Sequence, residues 1–257
     1  MRNDGVSKLY KFSQQMVKLN KGLFVLNFVC VVLSCFLSEI YLPITTILQI
    51  VFSLAFVVVE ILDDGIFWFC AESARRANCI ENAFHVDLSE YKTEGYYNND
   101  LSPSFAKYTL NIFESHYFTA NISKKMLPKK IVEVIVALLI FVVSCLCIPS
   151  EITAIVAEAI FSSFVMIDAV AMIIYEIRIR QLYKNAYTQF VSVGITKYEQ
   201  LVWVLSYVVE YESIKAHYKI RLDEKIFNRL NPMLSKEWDE LKKKIIILPE
   251  EVERFRE

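Results

Sequence analysis

Apolar residues along this chain gather into four runs that come in two pairs. The first pair reads GLFVLNFVCVVLSCFL and, beyond a polar break from Ser38 to Pro43 that holds Glu39, ITTILQIVFSLAFVVVEIL. The second reads IVEVIVALLIFVVSCLCI and, beyond Pro149 to Glu151, ITAIVAEAIFSSFVMIDAVAMIIYEI. A core helix of a soluble protein alternates such residues with a polar face, whereas polar positions are sparse in all four runs. Crossing a bilayer takes about 20 mainly apolar residues at ~1.5 Å each, and each run reaches or approaches that length. The pattern predicts two transmembrane hairpins. A cleaved leader is not expected, because the first run starts late, lacks a small-residue cleavage site and is followed at once by a second run.

Charge orients the hairpins. No Lys or Arg occurs in residues 22–74 or 131–177, although the chain carries 28 of them. Lys and Arg near span ends are retained on the cytoplasmic side. Here Lys18 and Lys21 precede the first span, Arg75 and Arg76 follow the second, Lys129 and Lys130 precede the third, and Arg178 and Arg180 follow the fourth. All of these flanks, and both termini, are therefore expected in the cytoplasm, with the two turns outside. The composition, 55% hydrophobic yet 22% charged, fits a membrane part joined to a charged soluble part. The expected fold class is an all-α membrane protein of four transmembrane helices in two hairpins with a helical cytoplasmic domain. Its expected divisions are a cytoplasmic segment 1–21, hairpin 22–62, a cytoplasmic helical hairpin 63–130, hairpin 131–177 and cytoplasmic helices 178–257.

Within the cytoplasmic part, a helix continuing past Asp63 and Asp64 and another from about Ser104 to Met126 should flank a turn-rich stretch from Glu90 to Pro103. Gly194 is a plausible helix C-cap. From about Lys197 to Leu230 the repeat of Leu201, Val204, Val208, Tyr211, Tyr218 and Leu222 predicts one long amphipathic helix. Lys215, Lys219, Arg221, Lys225 and Arg229 then fall in a broad arc of it, and Pro232 opens a terminal helix. The six cysteines lack metal-ligand spacing and read as small packing residues.

Catalytic signatures are missing. There is no phosphate-binding GxxxxGK[ST], no GxGxxG, no HExxH and no nucleophile elbow, and His85, His116 and His217 are far apart. Neither an enzyme, a metal site nor a cofactor is expected. The acids inside or near the spans carry more information, because a carboxylate in hydrocarbon faces a polar cavity, a partner or water. Glu158, Asp168 and Glu60 are candidates to line a cation-permeable path, while Glu60, Glu133 and Glu176 lie close enough to span ends to reach interfacial water.

Three cytoplasmic blocks, AESARRANCIENAF, YKTEGYYNND and NIFESHYFTANISKKM, together with the length and the two separated hairpins, carry a resemblance. The chain resembles the SMODS-associated four-transmembrane effector family of bacterial anti-phage systems, which is similar in logic to CBASS. The resemblance implies a partner nucleotide cyclase, a cyclic oligonucleotide ligand sensed in the cytoplasm rather than a nucleic acid polymer, and permeabilisation of the bacterial inner membrane. A ligand of that kind calls for cations or N–H groups at phosphate and flat rings at the bases. Arg75 and Arg76 are the candidate cations; Tyr96, Tyr97 and Phe118 offer rings; Asn82, Asn98, Asn111 and Ser115 offer groups for base edges. The competing role for Arg75 and Arg76 is pairing with Glu72, Glu114 or lipid phosphate, and for the tyrosines packing inside the helical hairpin. A four-span protomer seldom encloses a channel, so a homo-oligomer is expected. The alternative reading is an ion or small-solute transporter or channel subunit without nucleotide control.

Overall fold

The computed structural model describes residues 3–38, 40–94, 97, 99, 101–147, 153 and 164–247. It is all-helical apart from two-residue extended pieces, β1 (Asn3–Asp4) and β2 (Thr93–Glu94). Helix α1 spans Ser7–Ser34 and α2 spans Leu42–Leu62. A π-helical turn, Asp63–Phe67, joins α2 to α3, Trp68–Phe84. There the Trp68 N–H reaches back five residues to the Asp63 carbonyl, so the helix widens without breaking. Helix α4 runs over Phe105–Cys147 and α5 over Phe164–Tyr187, a second π-helical turn follows at Thr188–Val193, and α6 (Tyr198–Tyr218) and α7 (Glu224–Lys242) complete the order.

The chain divides into two compact units: one of Met1–Asn3, Arg76–Ile131 and Val170–Glu257, the other of Asp4–Arg75 and Val132–Ala169. In the second unit burial is inverted relative to a soluble protein. Leu54 and Ile61 are each 64% exposed, and Val25, Leu33, Ile47, Ile50 and Leu139 are also exposed, whereas Ser13, Asn20, Thr45 and Asp63 are buried. Water on those apolar faces would be opposed at roughly 25 cal/mol per Å², and so extensive an apolar surface marks a contact with membrane or protein. Antiparallel packing of α1 on α2 and the following turn is fixed by Tyr10 edge-on to Trp68 (5.8 Å), Phe12 on Phe67 (4.9 Å) and a hydrogen bond from Asn20 Nδ2 to Glu60 Oε2 (2.6 Å). Phe28 of α1 packs with Ala137 and Phe141 of α4 and Met166 of α5.

Among the described residues, two helices are long and apolar enough to cross a membrane, Ser7–Ser34 and Leu42–Phe84. The other two expected spans meet at residues 148–152 and 154–163, which, with Glu158 and the turn at Pro149, lie outside the described residues.

The first unit has an aromatic core. Trp238, Tyr175, Tyr211, Phe113 and Phe190 are each under 2% exposed. Phe113 sits 4.7 Å from Phe190 and 5.8 Å from Trp238, in the tilted and edge-on geometries that ring quadrupoles favour. Gly194 caps the second π-helical turn, as expected of it. Its φ is 82°, its N–H bonds Gln189 O at 2.8 Å, and a Cβ there would lie 2.9 Å from Ile246 Cγ2.

Three expectations are corrected. The helix over 104–126 does not stop before Pro128; α4 continues through it to Cys147. Pro128 takes the N–H donor from the Lys124 carbonyl, and both residues are on an exposed face of the helix. The single helix over 197–230 is instead two. Lys219 turns left-handed (φ 50°), and Asp223 starts α7 by accepting a hydrogen bond from the Ile226 N–H at 3.0 Å. Lys215 is therefore on α6, Lys219 and Arg221 are in the link, and Lys225 and Arg229 are on α7, so the cationic arc is not one helix face. Pro232 lies inside α7 rather than at its start.

Candidate functional site

One face of α3 carries Asn78, Glu81 and Asn82 at spacings of three and four, so their side chains share a side of the helix, and His85 follows just past the helix end in a left-handed turn (φ 53°). That face holds the following loop by hydrogen bonds. Asn78 Nδ2 donates to the Tyr91 carbonyl (2.6 Å) and Ser89 Oγ (3.1 Å), and Thr93 Oγ1 donates to Asn78 Oδ1 (2.7 Å). The Glu81 carboxylate accepts from the Leu88 and Ser89 N–H groups (3.3 and 3.1 Å) and from Lys92 Nζ (2.7 Å), and Lys92 also pairs with Asp87. Burial alone would raise the Glu81 pKa, but Lys92 and the two N–H donors together hold it below the usual carboxylate value. Asp87 and Glu81 in turn push the Lys92 ammonium up.

A second set of amides joins α3, α4 and the loop. Asn99 Nδ2 donates to Asn111 Oδ1 at 2.6 Å, and Asn111 Nδ2 donates to Asn82 Oδ1 at 2.9 Å. Asn111 is fully buried. Beside this ladder, Asn78, Glu81, Asn82, His85, Val86, Asp87 and Thr93 line a cleft of about 330 Å³. Its polar groups are amides, a hydroxyl, an imidazole and two carboxylates, with Lys92 at the carboxylates. Such a lining reads donor and acceptor edges of a flat polar ligand well and attracts a phosphate poorly.

Of the candidate ligand residues, Asn82 and Asn111 are brought into direct contact. Arg75 closes the Asp4–Arg75 segment of one unit and Arg76 opens the Arg76–Ile131 segment of the other. Neighbours on a helix point about 100° apart, and their partners differ accordingly. Arg75 pairs with Glu72 (Nε 3.0 Å, Nη2 2.9 Å), whose other oxygen accepts from Tyr10 Oη at 2.6 Å. The structural pairing anticipated for Arg75 is thus present. Arg76 keeps 36% of its side chain exposed and lies 3.9 Å from Glu212 Oε2. Phe118 packs against Tyr117 and Phe227 at 5.7 and 6.3 Å, and Tyr97 packs on the aromatic core. Ser115 is half-buried on α4. Tyr96 and Asn98 lie outside the described residues. Of the path acids, Glu60 bonds Asn20, and Asp168 is half-buried on α5.

Sequence reading missed Asn78, Glu81, Lys92, Thr93 and Asn99, although the polar stripe 78, 81, 82, 85 was a visible signal. It also missed His116, the centre of the aromatic core. His116 Nε2 donates to the Ile179 carbonyl (2.9 Å), which leaves Nδ1 to accept from Tyr207 Oη (2.9 Å). Burial drives the imidazole pKa down to about 4, against a smaller opposing effect of the Ile179 bond. Burial likewise pushes Tyr207 well above the usual phenol value, so its hydroxyl stays a donor. Comparison with protein families, with curated proteins and with solved structures finds no match.

Proposed function

We propose that this protein is a bacterial membrane effector, without enzymatic activity, that permeabilises the inner membrane under control of a cyclic oligonucleotide. In this reading the chain crosses the membrane four times with both termini in the cytoplasm, acts as a homo-oligomer, and takes its signal from a partner nucleotide cyclase.

The observation that carries the reading is the inverted burial of the unit containing α1 and α2, where leucines and isoleucines face out and Asn20, Ser13, Thr45 and Asp63 face in. Outward apolar faces suit lipid, and inward polar groups suit a solute or water path. The packing of Phe28 with Ala137, Phe141 and Met166 favours four spans, since it sets α4 and α5 beside α1 in that unit. The cytoplasmic response is assigned to the amide ladder and cleft, with Asn82 and Asn111 exchanging their mutual bond for bonds to a base edge and Arg76 meeting phosphate. The acidic cleft shifts the emphasis from charge to base reading.

The test is leakage from dye-loaded liposomes containing the purified chain, with a panel of cyclic oligonucleotides. The expected result is leakage that at least one member of the panel switches on or off. Absence of leakage both with and without every ligand would overturn the reading.

A further inference from the structure

The membrane unit holds buried amides whose role the reading above leaves open. Ser13, Asn20 and Asn27 follow one another on α1 at intervals of seven, which keeps them within about 20° of one line per step. Ser13 is 0% and Asn20 5% exposed, and across the helix pair Asp63 is 5% exposed. The bond from Asn20 Nδ2 to Glu60 Oε2 (2.6 Å) fixes the amide orientation, because the flipped form would set oxygen against a carboxylate. Asn20 Oδ1 is therefore left buried with no protein donor, and Asn27 Oδ1 is in the same state. Polar groups that merely hold helices together in a membrane are matched donor to acceptor, and hydrocarbon offers no donor. What suits two acceptor oxygens in line with a carboxylate is water or a cation. An anion would meet the Glu60 carboxylate, and beyond Lys21 no Lys or Arg occurs in residues 22–74 to balance it.

We propose that the α1–α2 seam lines a path for monovalent cations, which pass the amide oxygens of Asn27 and Asn20 and the carboxylate of Glu60. These are hard oxygen ligands of the kind alkali ions accept in place of hydration. The inference rests on the permeabilising function proposed above and deepens it by naming the solute class and the helix pair that meets it.

The experiment is the reversal potential of currents through the full chain in planar phosphatidylcholine bilayers under a NaCl gradient, in the presence of whichever nucleotide opens it. The wild type is expected to prefer Na⁺ over Cl⁻. Asn27→Asp should raise the Na⁺/Cl⁻ permeability ratio several-fold and Glu60→Gln should lower it several-fold. A gain of selectivity in Asn27→Asp cannot come from misfolding, so that variant decides the matter even if Glu60→Gln fails to insert. Currents that are non-selective, or equally selective in wild type and Asn27→Asp, would overturn the seam while leaving permeabilisation standing. Absence of any current in the wild type would overturn both.

Discussion

His116 is the residue whose chemistry most directly ties the aromatic-core unit to pH. Its folded pKa of about 4 lies below the ordinary 6.5, so between these values the unfolded chain binds the proton and the folded chain does not. Stability is therefore fully present above pH 6.5 and declines as pH falls towards 4, by a total on the order of 3 kcal/mol. Urea unfolding of detergent-solubilised protein at pH 7 and pH 4.5 should show that decline, and His116→Gln should flatten it; equal slopes in both proteins would refute the assignment. Asn111 makes a different point. Its amide serves Asn82 and Asn99 at once, so Asn111→Leu strands two partners and should cost about 1–3 kcal/mol in the same assay. It should also abolish any nucleotide response, a loss that Arg75→Ala, through its pairing with Glu72 in the other unit, should not reproduce. Neither network was legible in the sequence, because the bonds join residues 12 to 91 positions apart and only the folded chain brings them together. The stripe Asn78, Glu81, Asn82, His85 was legible, since its spacing is local.

At the scale of elements, what could be read was what depends on neighbours in sequence. The first basic-free window foretold α2 and the C-terminal half of α1, and Gly194 foretold the end of the helical run that continues from α5 through the second π-helical turn. The break after Tyr218 escaped because a lysine, Lys219, takes the left-handed conformation that usually signals itself by glycine. Continuation of α4 through Pro128 escaped for the opposite reason: proline usually stops a helix, and here it sits on an exposed face of one that continues. The packing at Gly194 gives a sharp prediction. With φ at 82° and ψ at 164° the backbone conformation belongs to glycine, and an added Cβ also meets Ile246. Gly194→Ala should destabilise the aromatic-core unit by about 1–3 kcal/mol. Adding Ile246→Ala should relieve the contact but not the backbone strain, so thermal unfolding of the double variant should remain below that of Ile246→Ala alone.

For the whole molecule, the two units differ in what they bury: aromatic rings around a neutral histidine in one, hydroxyls and amides behind outward leucines and isoleucines in the other. That contrast suits a chain whose one half meets lipid and whose other half meets the cytoplasm, and under the proposed function the command and the response fall in different units. The long polar segments between and after the expected spans all carry cytoplasmic charge signals, so the command should reach the protein from one side alone. The most direct test is leakage from vesicles in which the chain is inserted in a single known orientation, with a membrane-impermeant cyclic oligonucleotide added to either face. The account predicts that leakage changes when the nucleotide is on the face that bears the amide ladder and does not change when it is on the other. Leakage indifferent to nucleotide on both faces, or no leakage at all, would contradict it.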